Sequence, residues 1–317
     1  MLYDILLIAV GFALVAKGGD LFVDSSIFIG RALRIPRFVI GGTLVSLATT
    51  APELVVSVTA ASMGDSGIAL GNAVGSCICN IGLIVGLVAI IMPVEVDRPD
   101  FIRRAAWMAG GGVLVVAFSW DGSMERMYGL LLLAGAVAYL AWDLAGILRS
   151  RRQSASEAED PDAAEGLGAA VGWFAVGAVC VIVGSRLLVT SGQGLAAALG
   201  VPSAIIGFSV IAIGTSVPEL VTGVTAARKG VPDLSLGNIL GANVLNLLLV
   251  VGLSGTIQPL QLDAFSQLYG FPWLGIFFVA VIGAVLRFGV VRRAAGIALL
   301  LLYALYVIGL VSLPVLT

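Results

Sequence analysis

GGTLVSLATTAPELVVSVTAASMGDSGIALGNAVGSCICNIGLIVGL, at Gly41–Leu87, aligns without a gap with GFSVIAIGTSVPELVTGVTAARKGVPDLSLGNILGANVLNLLLVVGL, at Gly207–Leu253. The offset between the two stretches is constant at 166 residues. Each copy carries one glutamate, Glu53 or Glu219, within a run of apolar and uncharged polar residues. The chain therefore contains an internal repeat with one carboxylate in each copy.

The composition indicates a membrane protein. Hydrophobic residues make up 59% and charged residues 11% of the 317 residues, whereas a soluble domain has about 25% charged residues. The net charge of −2 gives no reason to expect a nucleic-acid partner. The absence of histidine removes the most common proton relay and transition-metal ligand. Cys77, Cys79 and Cys180 are interpreted as reduced packing residues. We expect an all-α polytopic protein of the cell (inner) membrane, in contact with the lipid bilayer.

Ten segments are long and apolar enough to cross a bilayer as helices, which takes about 20 residues. They are, roughly, residues 3–32, 37–62, 66–92, 101–119, 127–148, 168–198, 203–227, 233–256, 270–287 and 293–314. The basic residues of the connecting loops fall 14 to 1 on alternate sides. By the positive-inside rule this bias predicts cytoplasmic odd-numbered loops, with both termini outside.

Five spans precede an acidic segment and five follow it. We expect a first five-helix repeat at 1–149, an acidic cytoplasmic linker at 150–167 and a second five-helix repeat at 168–317. Because five is odd, the second repeat enters the membrane from the opposite side. Inverted repeats are a recurring transporter design, with the site near the bilayer midplane. The predicted fold is therefore ten transmembrane helices in two inverted repeats, with broken helices at a central ion site.

A proline precedes the glutamate of each repeat. Pro52 and Pro218 cannot donate to the carbonyl four residues back, so each helix should break and leave main-chain oxygens free near the acid. Hydroxyl groups stand three and four residues before each glutamate, and polar residues spaced by four form a stripe on the next span. We interpret Asn72 and Asn238 in that stripe as helix–helix contacts. The remaining set is all oxygen, which suits calcium, and sodium can use the same oxygens.

These motifs resemble those of the sodium/calcium exchanger family of the cation/calcium antiporter superfamily. The resemblance implies a central site with one calcium position and several sodium positions, which opens to the two sides of the membrane in turn. It implies the following ligands: Glu53 and Glu219 for calcium, with backbone oxygen from Thr49 and Thr215; Thr50, Ser76, Asn80, Ser216 and Asn246 at the flanking positions; and the backbone of Ser46 and Ala212 facing ions.

The chain departs from the family pattern at four places near the site, and the first is Ala48-Thr49-Thr50, where the family usually has Gly-Thr-Ser. Cys77 replaces a usual asparagine, and Ala242 stands where many members have the serine that matches Ser76. Asn246 stands where many relatives carry aspartate. The second repeat therefore lacks one hydroxyl and one carboxylate that would otherwise face the ions.

The predicted function is secondary active antiport of sodium against calcium by alternating access. The protein is expected to be no enzyme and to need no cofactor, and a monomer should suffice for transport. One alternative is calcium/proton exchange on the same fold, with the glutamates carrying protons, and a less favoured one is a passive cation channel. The remaining intramembrane acids, Asp20, Asp24 and Asp143, are interpreted as interfacial or paired charges.

Overall fold

The computed structural model describes residues 2–154, 166–198, 213–262, 264 and 266–312. Helices dominate these residues. In chain order they are α1 (Leu2–Ala32), α2 (Arg37–Ile40), α3 (Ser46–Thr49), α4 (Ala51–Ser62), α5 (Ser66–Cys79), α6 (Gly86–Ile91), α7 (Arg98–Phe118), α8 (Arg126–Ser154), α9 (Leu167–Ala198), α10 (Val217–Arg228), α11 (Pro232–Leu245), α12 (Val251–Ile257), α13 (Phe271–Phe288) and α14 (Arg293–Ser312). The prediction of a helical membrane protein is confirmed.

Among the described residues, three π-helical turns join neighbouring helices into longer spans, and a fourth leads into α13. They lie at Gly41–Val45, Asn80–Val85, Asn246–Val250 and Ser266–Gly270. Single π-turns inside α-helices are rare in proteins, and those that occur often lie at functional sites. The second and third occupy equivalent places in the two repeats, and each begins at an asparagine of the predicted site. The backbone irregularity is thus concentrated where the sequence predicts ion ligands.

Eight helical spans of the described residues are long and apolar enough to cross a membrane. A ninth is the pair Arg37–Thr49 and Ala51–Ser62, which is bent by 43°. This bend confirms the break predicted at Pro52, which lies in the first turn of α4. The predicted span 203–227 is described only from residue 213 onward, where α10 also has a proline, Pro218, in its first turn.

The centre of the protein is formed by two equivalent spans, one from each repeat. In the most apolar 18-residue stretches of Ser66–Ile91 and Pro232–Ile257, 78% and 89% of the residues are buried, whereas this share is at most 39% in the other described spans that can cross singly. These two spans carry the polar stripes of the repeats. The lipid-facing helices surround them, so the predicted site lies in the protein interior.

Two short antiparallel ladders join the repeats at their ends. Strand β1 (Val94–Glu95) pairs with β4 (Val290–Val291), and β2 (Ser123–Met124) pairs with β3 (Leu260–Gln261). An offset of 166 residues relates β1 to β3 and one of 167 relates β2 to β4, so the two ladders are themselves equivalent. Each repeat therefore contributes one strand to each ladder, as expected for two inverted halves.

Helices α1 and α9 pack closely through glycines. A Cβ atom on Gly18 would lie 2.6 Å from the Cβ of Cys180, and one on Gly184 would lie 2.9 Å from the carbonyl oxygen of Gly11. Gly177 likewise has no room for a side chain beside the backbone of Phe22. Small residues permit this approach of two membrane helices. The contact joins the first helices of the two repeats.

The other intramembrane acids are paired, as the sequence interpretation expected. Asp143 Oδ1 lies 2.5 Å from Nη2 of Arg104, and both side chains are buried. Lys229 Nζ lies 2.9 Å from Asp24 Oδ1 and 3.5 Å from Asp20 Oδ1, and this second group is largely exposed. The first pair connects α7 with α8, and the second connects α1 with the end of α10.

Candidate functional site

Glu53 and Glu219 lie at the start of equivalent helices. Each glutamate is in the first turn of its helix, α4 or α10, one residue after the proline, and each is fully buried. The amino end of a helix favours negative charge. The two carboxyl groups are close enough for their charges to interact. The structure therefore brings the two repeated acids together in the core.

Each acid also contacts a hydroxyl group of the other repeat. Ser216 Oγ lies 3.5 Å from Oε1 of Glu53, and Thr49 lies beside the carboxyl group of Glu219. Thr49 and Ser216 are among the predicted site residues. Each half of the site is thus completed by the opposite half of the chain.

Asn72 and Asn238 cross-link the repeats in equivalent ways. The hydroxyl of Thr215 donates to Asn72 Oδ1 at 3.0 Å, and the hydroxyl of Thr49 donates to Asn238 Oδ1 at 3.2 Å. Asn72 Nδ2 also donates to the main-chain oxygen of Glu53 at 3.3 Å and to Ser57 Oγ at 3.0 Å. These contacts agree with the interpretation of both asparagines as helix–helix contacts, and they hold the threonines beside the acids.

The third-span residues of the predicted set differ between the repeats. Ser76 Oγ lies 3.3 Å from Thr215 Oγ1, whereas its equivalent Ala242 has no polar group and is fully buried. Asn80 Nδ2 donates to Asn243 Oδ1 at 3.0 Å. The expected loss of one hydroxyl from the second repeat is therefore accompanied by a difference in the hydrogen bonding of the asparagines.

Several oxygens at this centre are buried without a hydrogen-bond partner among the described residues. They are Thr50 Oγ1, Glu53 Oε2, Asn80 Oδ1, both carboxyl oxygens of Glu219, and Asn246 Oδ1. An unsatisfied buried polar group costs about 1–3 kcal/mol, and more if it is charged. A bound cation would satisfy these atoms together. Among the described residues there is no group of three His, Cys, Asp or Glu side chains placed to hold a metal, so neutral oxygens must supply most of any ligand set.

The described members of the predicted set are all buried. Ser46, at the start of α3, is fully buried, and its main-chain oxygen accepts from the Thr50 amide at 2.9 Å. Ala212 lies outside the described residues. Sequence reasoning missed Ser57 and Asn243, which hydrogen-bond to residues of the centre. Ser57 follows Glu53 by one helical turn, and Asn243 is the equivalent of Cys77, so spacing and the repeat alignment could have found both.

The comparisons with known proteins agree with this description. The model of the sodium/calcium exchanger protein family matches residues 3–145 and 169–311. The inner membrane protein YrbG of Escherichia coli is 34% identical over 276 residues, which cover 85% of each chain. The sodium/calcium exchanger MaX1 of Methanosarcina acetivorans is 29% identical over an alignment that covers 96% of this chain and 97% of that protein.

A solved structure of the sodium-calcium exchanger NCX_Mj, soaked with 10 mM Na+ and 10 mM Sr2+, superposes with a TM-score of 0.84. It is 29% identical and covers 98% of each chain. NCX_Mj has a ten-helix inverted-repeat fold. The fold predicted from the sequence, two inverted five-helix repeats with broken helices at the centre, is thereby confirmed.

Proposed function

Because the chain belongs to the sodium/calcium exchanger protein family, and is therefore a cation/calcium antiporter of the membrane, we propose that sodium is the ion it exchanges for calcium. The observation that carries the proposal is the group of buried oxygens without partners around Glu53 and Glu219. These oxygens come from both repeats, so a cation bound among them would bridge the two halves of the protein.

The charge of the site supports exchange. Two buried carboxylates close together repel each other, and burial disfavours their charged form. They are therefore stable only with cations or protons bound. One calcium ion would balance the charge of Glu53 and Glu219, and sodium ions would do so after calcium leaves. A site that cannot remain empty must exchange one occupant for another.

The ligand roles proposed for calcium and sodium follow from position. Glu53 and Glu219 bind calcium between the repeats, together with the main-chain oxygens of Thr49 and Thr215. The flanking sodium positions use the side chains of Thr50, Ser76, Asn80, Ser216 and Asn246 and the backbone of Ser46 and Ala212. Calcium takes 6–8 oxygen ligands in flexible geometry, and this set supplies carboxylate, carbonyl, amide and hydroxyl oxygens.

The proposed topology follows the charge bias of the loops. Both termini lie outside and the linker at 150–167 lies in the cytoplasm, between repeats at 1–149 and 168–317. A single chain is sufficient for transport, because both glutamates come from the same molecule. Labelling single cysteines placed at residue 160 and in the loop at 121–123 from each side of sealed vesicles tests the orientation. Labelling of residue 160 from the periplasmic side would contradict it.

Calcium/proton exchange is the second candidate. Ala242 favours it, because this side chain removes a hydroxyl that a sodium ion would otherwise use, while both proton-carrying glutamates remain. Proton coupling would use the same acids without further ligands. The two candidates differ in the gradient that drives calcium, and transport measurements separate them.

The decisive experiment uses purified protein in sealed vesicles. Radioactive calcium uptake is measured with an outward sodium gradient and, separately, with an outward proton gradient. We expect uptake to follow sodium, and uptake that follows protons and ignores sodium would establish the alternative. Glu53→Gln and Glu219→Gln should each abolish uptake, and Asp65→Asn, which changes an exposed helix cap, should not. Retained uptake in both Gln variants would refute the site.

A further inference from the structure

Cys77 and Asn243 contact each other although they occupy equivalent positions in the two repeats. Asn243 Nδ2 lies 3.4 Å from the main-chain oxygen of Cys77, and Cys77 Sγ lies 3.7 Å from the main-chain oxygen of Asn243. Both residues are fully buried. Equivalent residues that contact each other lie next to the axis that relates the repeats. The side chain at this place is therefore amide in one repeat and thiol in the other.

The backbone fixes the orientation of the Asn243 amide. A main-chain carbonyl only accepts hydrogen bonds, so the Asn243 nitrogen must face Cys77 O, and its oxygen must face the other way. That oxygen accepts from Asn80 Nδ2 at 3.0 Å. The nitrogen of Asn80 is thereby committed to Asn243. Its remaining polar atom, Oδ1, is buried without a partner among the described residues.

The equivalent arrangement is missing around Asn246. Asn246 is the equivalent of Asn80, and the residue that corresponds to Asn243 beside it is Cys77. The thiol of Cys77 is only a weak donor and a weak acceptor. The Asn246 amide lies near this thiol, but neither Nδ2 nor Oδ1 has a hydrogen-bond partner of ordinary geometry among the described residues. Asn80 thus has one fixed orientation, whereas no hydrogen bond from the part of the chain that the structure describes selects between the two orientations of Asn246.

We propose that Asn243 is a positioning residue that holds the side-chain oxygen of Asn80 toward the transported cations, whereas Cys77 leaves the amide of Asn246 free to turn. This proposal rests on the proposed function, because it treats the two asparagines as ion ligands. The flanking position beside Asn80 then binds its cation more tightly than the position beside Asn246. This difference in affinity between the two flanking positions arises from Asn243, which does not itself contact an ion.

The amide that turns freely binds a cation less well for a simple reason. Only the oxygen attracts a cation, and the nitrogen repels it. Asn80 is held with its oxygen forward before the ion arrives, so no orientation has to be selected on binding. Asn246 must first turn its oxygen to the ion, and this ordering weakens binding, since preorganised ligands avoid that loss.

The first test compares two truncations. In the wild-type chain, both truncations should raise the sodium concentration for half-maximal calcium exchange. The rise should be about three- to tenfold larger for Asn80→Ala than for Asn246→Ala, which is the value of a net hydrogen bond. Maximal exchange rates should change less than this concentration does. Equal effects of the two truncations would contradict the proposal.

The second test exchanges the two axial residues. In Cys77→Asn/Asn243→Cys the amide now lies in the first repeat, where it can orient Asn246. The order of the two truncations should therefore reverse, with Asn246→Ala the more harmful. A purely structural role of Asn243 does not reverse this order. An unchanged order in the exchanged background would overturn the proposal.

If the double variant Cys77→Asn/Asn243→Cys does not fold, a single substitution tests the same proposal. Cys77→Asn retains Asn243 and adds a partner for Asn246. In that background Asn246→Ala should become as harmful as Asn80→Ala, and no increase would count against the proposal. If calcium exchange proves independent of sodium, the proposed function fails, but the same comparison is then made with the calcium concentration for half-maximal uptake.

Discussion

Arg104 binds the main-chain carbonyl of Gly42. Nη1 of Arg104 lies 3.2 Å from Gly42 O, and the hydroxyl of Tyr139 donates to the same oxygen at 3.1 Å. Gly42 belongs to the π-turn that leads into Ser46, and the other side of the guanidinium pairs with Asp143. The buried guanidinium of Arg104 therefore holds the π-turn at the start of the broken helix that carries the predicted site residues.

The ion pair of this clamp is not repeated in the sequence of the second half. The offset becomes 167 residues at the equivalent turns of Gly122 and Gly289, so the positions equivalent to Arg104, Tyr139 and Asp143 are Gly270, Tyr306 and Leu310. None of these side chains can form an ion pair. The second repeat therefore has no side chains at these positions for the same ion pair.

Arg104→Met should strongly destabilise the protein. It leaves Asp143 buried without its cation, and breaking a buried pair in this way costs about 3–5 kcal/mol. The free energy of unfolding falls accordingly, and the melting temperature in detergent, followed by tryptophan fluorescence, reports the change. Arg104→Met/Asp143→Leu should recover part of the loss, because no uncompensated charge remains.

Arg103→Met provides the matched control for this prediction. Arg103 pairs with Asp100 one turn along the same helix, but its side chain is 58% exposed. An exposed pair contributes at most about 1 kcal/mol. Similar melting temperatures for Arg103→Met and Arg104→Met would show that the buried pair has no special role.

Gly18→Ala should separate α1 from α9. The added Cβ would lie 2.6 Å from the Cβ of Cys180 and 3.0 Å from the amide nitrogen of Val181. Such a contact requires backbone movement, and overpacking typically costs about 1–3 kcal/mol. The melting temperature should therefore fall. Gly172→Ala on α9 is the control, because a Cβ there meets nothing within 4 Å. A neutral Gly18→Ala would mean that the two helices are not held at this distance.

Lys229→Gln should have a small effect that depends on pH. Burial, the largest single effect, disfavours the charged amine, but the hydrogen bonds and charges of Asp24 and Asp20 together outweigh it and raise the pKa of Lys229 above its usual value of 10.5. A raised folded-state pKa gives stability that is complete below about pH 10.5 and is lost as the pH rises through the folded value.

The measurement for Lys229 is the difference in melting temperature between the wild type and Lys229→Gln. It should correspond to less than about 1 kcal/mol, since Asp24 is largely exposed. The difference should be present at neutral pH and vanish in alkaline buffer above the raised pKa. A difference that grows with pH would have the wrong sign for this ion pair.

The repeat, the prolines and the loop charges were enough to predict the architecture. Pro52 breaks its helix because proline removes a backbone donor, and this effect is local and readable from one position. The same local patterns predict Glu53 and Glu219 as ion ligands, and the resemblance to the exchanger family implies the rest of the expected set. What the sequence did not reveal are contacts between distant segments, such as Arg104 with Asp143 or Asn243 with Asn80, 163 residues apart. Periodicity places a residue on a helix face but does not say which other face it meets.

Cys77 illustrates this limit. Its composition-based interpretation as a small, reduced packing residue agrees with a buried, free thiol. Its position next to the axis between the repeats could not be read from helix spacing, because the axis exists only once the two halves are packed. The departure from the family pattern was visible in the sequence, and the contact of Cys77 with Asn243 became visible only in the structure.

Ala242→Ser should increase the apparent affinity for sodium. Ser76 lies within hydrogen-bond distance of Thr215. Because the repeats are equivalent, a serine at position 242 would place its hydroxyl at a similar distance from Thr49. It would restore the oxygen that the second repeat lacks. We expect the sodium concentration for half-maximal calcium exchange to fall about two- to tenfold, which is the value of one net polar contact, or the dependence of calcium exchange on sodium to become steeper.

Ser76→Ala is the converse variant and should raise that concentration by a similar factor. If Ala242→Ser changes neither quantity while Ser76→Ala weakens sodium binding, the backbone or water already fills the place beside Ala242, and the asymmetry of the two flanking positions must come from Asn80 and Asn246 alone.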